Sequence, residues 1–119
     1  MLTNDKTTKD VLIHHLTAFG DNDLDEIMKD YMSESEVLTP DGPLKGLAAI
    51  RNFFADYFIV IPTGSAFEMK QLIVTHNVAY VAWTSESADT KIPIGTDTFF
   101  LEGEKIRFHT VADYRIRKL

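Results

Sequence analysis

The hydrophobic positions change period once along the chain, and the change divides it in two. After Thr7 and Thr8, Val11, Leu12, His15, Leu16 and Phe19 recur at helical spacing. Gly20 is expected to close this helix as its left-handed C-cap. Asp23, followed three residues later by Glu26, predicts an N-cap with a reciprocal partner for a short second helix. That helix should turn Leu24, Ile27, Met28 and Tyr31 inward. Glu36 to Thr39 reads as a short strand, stopped by the turn Thr39-Pro40-Asp41-Gly42. The clearest helix spans Leu47 to Phe58. Its stripe of Leu47, Ile50, Phe53, Phe54, Tyr57 and Phe58 lies opposite Arg51, Asn52 and Asp56. Pro62-Thr63-Gly64-Ser65 ends the helical half.

From Ala66 the period is two. Phe67, Met69, Gln71 and Ile73 alternate with Glu68, Lys70, Leu72 and Val74, a tight turn follows at His76-Asn77, and a strand runs from Val78 to Glu86. A further turn near Ala88-Asp89 leads into a closing hairpin between Lys91 and Ile116. Helices first and strands afterwards predict a single α+β domain over 1–119, with helices packed on one face of an antiparallel sheet.

The hairpin carries the candidate chemistry. A three-residue loop, Glu102-Gly103-Glu104, would pair Leu101 with Lys105, Phe99 with Arg107 and Asp97 with His109. An acid and an imidazole would then be direct cross-strand neighbours on one face. As an acid–base pair, His109 would be the general base or acid and Asp97 would orient it or donate to an enolate oxygen. The other reading is a buried polar pair that satisfies its own hydrogen bonds. In this register one hairpin face holds Phe100, Ile106, Phe108, Ala112 and Tyr114, and the other holds Asp97, Phe99, Leu101, His109, Val111 and Asp113. Both faces are too apolar for water. One should meet the helices and the other a second copy of the chain, which predicts a homodimer through the sheet.

Composition removes several classes. The 119 residues are 45% hydrophobic and 25% charged, and none is cysteine. That excludes disulfides, a thiol nucleophile and thiolate zinc sites, and it fits a cytoplasmic location. The polar start reads as no signal peptide, and no apolar run is long enough to span a membrane. The net charge of -6 is uneven, with ten acids against three bases in residues 1–41 and five bases against one acid in 105–119. Such an acidic chain is expected to bind neither nucleic acid nor anionic membrane. His14-His15 has the wrong spacing for two ligands on one helical face, so no metal is expected. Nor is there a phosphate-binding glycine loop or a Gly-x-Ser-x-Gly elbow.

Four stretches carry a resemblance. They are His15-Leu-Thr-Ala-Phe-Gly-Asp-Asn-Asp-Leu-Asp, Thr39-Pro-Asp-Gly, Gly46-Leu-Ala-Ala-Ile-Arg-Asn-Phe-Phe and Gly95-Thr-Asp-Thr-Phe-Phe-Leu-Glu-Gly-Glu-Lys-Ile. In this order the chain resembles the nuclear transport factor 2-like superfamily, the cone fold shared by ketosteroid isomerases and SnoaL-like polyketide cyclases. The resemblance implies a cone-shaped, curved antiparallel sheet with three N-terminal helices on its concave face. It also implies a pocket for a small apolar ligand, with no cofactor. In the isomerases a first-helix tyrosine and a protonated sheet aspartate form an oxyanion hole, and a second aspartate is the base. His15 falls at the tyrosine position and Asp97 at the sheet aspartate. The base position falls on Thr39, which takes no proton at neutral pH. Lys105-Ile106-Arg107-Phe108-His109 fits the Lys-Ile-x-x-His form of the cyclase-like last strand, although Thr110-Val111 replaces the Trp-Asp that commonly follows.

His15 is then a second donor, or else a satisfied core histidine; His14 beside it should face solvent, and His76 has no role. Tyr57 and Trp83 wall the cavity or are ordinary core, with Phe99 and Val111 beside them. Asp113 is a second carboxylate of the site or a strand-end partner of Arg115 or Lys118. Two functions stay open. One is a cofactor-independent acid–base enzyme, isomerase-like or cyclase-like, acting on a small apolar carbonyl compound. The other is a non-catalytic ligand-binding or dimerisation module.

Overall fold

The computed structural model describes residues 4–119; Met1 to Thr3, the first part of the polar start, lie outside the described residues. Helix α1 (Asp5–Gly20) starts at Asn4, whose side chain accepts the Thr7 N–H. Gly20 is not the left-handed cap. The helix ends in right-handed geometry through Asp21, and the chain turns at Asn22, which has φ 51°. Asparagine tolerates that conformation, and here its amide also ties the corner to Phe19 O and Ile61 O. Asp23 caps α2 (Leu24–Met28) through the Glu26 N–H. The Glu26 carboxylate does not return the bond. It is drawn instead to His14 and Lys29, both at 2.8 Å.

Tyr31 opens β1 (Tyr31–Thr39), a strand much longer than the Glu36–Thr39 expected. The Thr39–Gly42 turn is followed by an unexpected short strand, β2 (Gly42–Lys45), paired antiparallel with β1. Helix α3 (Leu47–Val60) buries Ile50, Phe54 and Tyr57, while Leu47 at its first turn is 41% exposed. Then come β3 (Ala66–Thr75), β4 (Val78–Glu86), β5 (Thr90–Glu102) and β6 (Lys105–Arg117). The six strands form one sheet in the order β2-β1-β6-β5-β4-β3. The sheet is not wholly antiparallel: β1 lies parallel to β6, which a strand can do only after a long crossover, here α3 and the meander. The core is built from α1, α2, α3 and the inner sheet face, with Leu12, Ile27, Val37, Ile50, Phe54, Phe99 and Ile106 almost wholly enclosed. Burying each such side chain contributes about 1.5–3 kcal/mol.

The closing hairpin departs from the expected register twice, and the two departures cancel. The turn is two residues long, Gly103-Glu104 with Gly103 at φ 62°, so Glu102 pairs with Lys105 and Leu101 with Ile106. Arg107 is then an extra residue in a bulge, after which Phe100 pairs with Phe108, Phe99 with His109 and Asp97 with Val111. Each one-residue slip flips the faces, and two slips restore them. Ile106, before the bulge, therefore points inward with Leu101. Asp97 and His109 keep a common face as diagonal neighbours rather than a direct pair. On the outer face Ile94, Phe100, Phe108 and Tyr114 stay exposed. Among the described residues no helix is long and apolar enough to cross a membrane.

Candidate functional site

A row of four hydrogen-bonded side chains crosses the inner face, one from each of four neighbouring strands. Tyr31 (β1) meets His109 Nδ1 at 2.8 Å, His109 (β6) Nε2 meets Asp97 Oδ2 at 2.6 Å, and Trp83 (β4) Nε1 donates to Asp97 (β5) Oδ1 at 2.8 Å. The proton positions follow from the ends of the row. Burial, reinforced by the charges of Asp97 and Asp30, pushes the Tyr31 hydroxyl well above its ordinary range, so it keeps its proton and donates to Nδ1. With Nδ1 accepting from Tyr31, Nε2 carries the imidazole proton and donates to Asp97. Each carboxylate oxygen accepts one bond and retains a free lone pair.

His109 is 1% exposed and both of its nitrogens are engaged. It does not line the pocket. Asp97 does, with a side chain 14% exposed. The carboxylate therefore faces the space where a ligand would sit, and the imidazole holds it from behind. Asp97 and His109 are together, as their spacing predicts, but the carboxylate takes the forward position expected of the histidine.

His15 reaches the same pocket from α1. Its ring packs edge-on against Phe99 at 4.9 Å and His109 at 5.9 Å. Burial first, then the neighbouring His109 and His14, drives its pKa well below the ordinary histidine value, so the ring is neutral. Its Nδ1 is the one buried side-chain polar atom, among the described residues, without a hydrogen-bond partner. Aromatic rings of Phe19, Phe53, Phe54, Phe67 and Trp83 complete the wall. The void is only about 30 Å³, room for one or two waters. A ligand enters only if a ring moves.

A larger open groove of about 720 Å³ lies next to it, between α3 and β1, β2 and β6. Phe53 and Tyr57 line both spaces and separate them. The Tyr57 hydroxyl donates to Asp113 at 2.5 Å, and Asp113 also accepts from Arg115 at 2.7 Å. Thr39, Val111 and Asp113 line this outer groove rather than the inner pocket, whereas Phe99 and Trp83 line the inner one. The Thr39 hydroxyl is committed to its own turn, donating to Gly42 O at 2.9 Å and accepting from Asp41 N at 3.1 Å. Lys118 pairs with Glu86 and not with Asp113. Among the described residues no group of three or more His, Asp or Glu is placed to hold a metal ion.

Two participants are hidden in the sequence. The apolar spacing puts Tyr31 at the end of a helix, where only its inward position is visible. Gly95 stands out only as part of a motif, but an isolated glycine in a strand signals close approach by another group. Here that group is the Trp83 indole, which lies against the backbone of the cross-strand residue Gly95. His14 does not simply face solvent, since it bridges Asp30 and Glu26.

A curved sheet with helices over its inner face, enclosing an aromatic pocket with one presented carboxylate, defines the class as a cone-shaped α+β domain. A sequence model of the SnoaL-like domain matches residues 12–118, and the chain belongs to that family. Solved structures agree on the fold. A protein from Kribbella flavida, provisionally named a ketosteroid isomerase, superposes with a TM-score of 0.80 at 13% identity, over 98% of this chain and 84% of that one. A SnoaL-like protein of unknown function from Burkholderia thailandensis gives 0.74 at 13% identity, over 96% and 99%. A provisionally named polyketide cyclase from Sinorhizobium meliloti gives 0.70 at 15% identity, over 87% and 94%. At such identities the likeness is one of fold. No curated protein matches the sequence.

Proposed function

We propose that the protein is a cofactor-independent acid–base enzyme that moves a proton on a small, largely apolar carbonyl compound. The observation that carries this reading is the Asp97 carboxylate, which is presented to an aromatic pocket and held from behind by His109 and Trp83. Asp97 takes a proton from the carbon beside the carbonyl. Neutral His15 donates a hydrogen bond to the enolate oxygen that develops. Desolvated donors aimed at a developing charge are worth several kcal/mol of barrier. With Thr39 tied into its turn, Asp97 both removes and returns the proton, which one base can do. Phe53, half-buried between groove and pocket, is the side chain that must yield to admit the substrate. The neighbours named for ketosteroid isomerase and polyketide cyclase chemistry share this fold and favour the same class.

The test works with the substrate still unidentified. Small apolar ketones and related carbon acids are incubated with the protein in deuterium oxide, and NMR follows deuterium entering the carbon next to the carbonyl. Asp97→Asn, checked by near-ultraviolet circular dichroism to be folded, should lower the exchange rate by about 10²-fold or more. Equal rates in the variant, or no exchange above background for any compound, overturn the proposal.

A second copy of the chain is the proposed partner, docking on the outer sheet face where Ile94, Phe100, Phe108 and Tyr114 stand exposed. Sedimentation at micromolar concentration should give a dimer, and Phe100→Asp with Phe108→Asp should give a monomer. A wild-type monomer at that concentration removes this partner.

A further inference from the structure

The unpartnered nitrogen of His15 points to a second function for α1. Residues 14 and 15 sit next to each other on the helix, about 100° apart around its axis, so His15 enters the core while His14 stays at the rim. Between them lies Asp30, at the junction of α2 and β1 and only 6% exposed. Its two oxygens lie 2.8 and 2.9 Å from His14 Nδ1. One of them lies 3.8 Å from His15 Nδ1, the atom with no other partner. His14 Nε2 meets Glu26 at 2.8 Å, and its side chain is 37% exposed. An imidazole with a carboxylate on each nitrogen must carry both protons to bond both. Those two carboxylates hold its pKa above the ordinary value, Glu26 foremost.

We propose that His14 and Asp30 form a proton relay from solvent to His15, and through it to the aromatic pocket. The inference rests on reading the pocket as an acid–base site, but it is tested without a substrate. His14 passes its Nδ1 proton to Asp30. Asp30 passes a proton to His15 Nδ1 as His15 releases its Nε2 proton to the reacting oxygen, and solvent then restores the proton on His14. As the enol collapses back to the carbonyl, its oxygen returns that proton to His15 Nε2, Nδ1 gives its proton back to Asp30, and the extra proton leaves through His14. One proton thus enters and one leaves in each cycle, and no electrons change hands. The remaining gap is about 1 Å longer than a hydrogen bond, within reach of a turn of either side chain. The buried carboxylate is a suitable carrier because desolvation raises its pKa and makes its neutral form accessible. The other charged groups facing Asp30 are Glu26 and Lys105. Glu26 is occupied by His14 and Lys29, and Lys105 by the Lys29 carbonyl. Neither offers a competing path to His15.

The experiment is exchange of the His15 ring N–H with water, measured by saturation transfer on protein carrying nitrogen-15 histidine. With the relay intact, the buried ring proton exchanges far faster than its 3% exposure alone would allow. Asp30→Asn keeps a polar group at the position but carries no acidic proton, and should slow the exchange by about 10²-fold. His14→Gln, a change at the half-exposed end, should slow it similarly and guards against loss of fold in the first variant. Exchange at the wild-type rate in either folded variant overturns the relay. Unchanged deuterium incorporation in Asp97→Asn, which overturns the acid–base reading, would leave this result untouched, so the two proposals fail separately.

Discussion

Gly95→Ala is expected to destabilise the protein by about 3–5 kcal/mol and to detach Trp83 from Asp97. A Cβ added at Gly95 would lie 2.3 Å from both Cε2 and Cζ2 of the Trp83 ring and 2.7 Å from Cη2. None of these contacts is tolerable, so the indole or the strand must shift. The indole has nowhere to go. It is 4% exposed, stacked on Phe67 at 5.4 Å, edge-on to Tyr57 at 6.3 Å and hydrogen-bonded to Asp97. Overpacking of this kind costs about 1–3 kcal/mol. Losing a hydrogen bond to a charged acceptor adds about 1.5–3 kcal/mol. Urea unfolding measures the sum. Trp83 is the only tryptophan in the chain, so its fluorescence reports this contact alone. A variant with wild-type stability and unchanged emission would show that the indole is not pinned.

That glycine illustrates what the sequence can and cannot disclose. Helices α1 and α3 are legible because their apolar stripes recur at the helical period, and β3 to β6 because the period drops to two. The register of the hairpin is not legible, since it depends on a two-residue turn and on a bulge at Arg107 that no pattern announces. Asp97 and His109 still share a face, because two single slips return the alternation to its starting phase. An odd number would have sent the imidazole to the outer surface. The role of His109 is likewise out of reach. Its second nitrogen is claimed by Tyr31, 78 residues away in sequence, and local spacing cannot report a contact made by parallel docking of β1 on β6. Thr39 is near Asp113 in space, yet its hydroxyl closes a turn, which the Thr-Pro-Asp-Gly signal itself foretells.

Stability should fall below pH 6.5 by about 1.4 kcal/mol per pH unit, and His15 should be the cause. The unfolded chain protonates this histidine near its ordinary value of 6.5, while burial holds the native group well below it. Between those two values the unfolded state binds a proton that the native state does not. Stability therefore rises with pH through that window and is fully present above it. His14 acts in the opposite sense. Its native pKa is raised, so its contribution is complete below 6.5 and is lost as pH climbs through the raised value. More than a third of that side chain is exposed, so solvent screening keeps its share to a few tenths of a kcal/mol. The raised Asp30 works against His15 at the acid end, because between 3.8 and its native pKa the folded state holds the extra proton. The profile should thus peak near pH 6.5, steeply flanked on the acid side and gently on the basic side. Urea unfolding of wild type and His15→Leu between pH 7.5 and 4.5 separates the contributions. The variant should lose the acid slope, so that wild type falls relative to it by up to about 1.4 kcal/mol per pH unit below 6.5 until the native histidine itself takes its proton. Parallel profiles would mean that His15 takes its proton in the folded state as readily as in the unfolded one, and so is not the neutral donor the pocket requires.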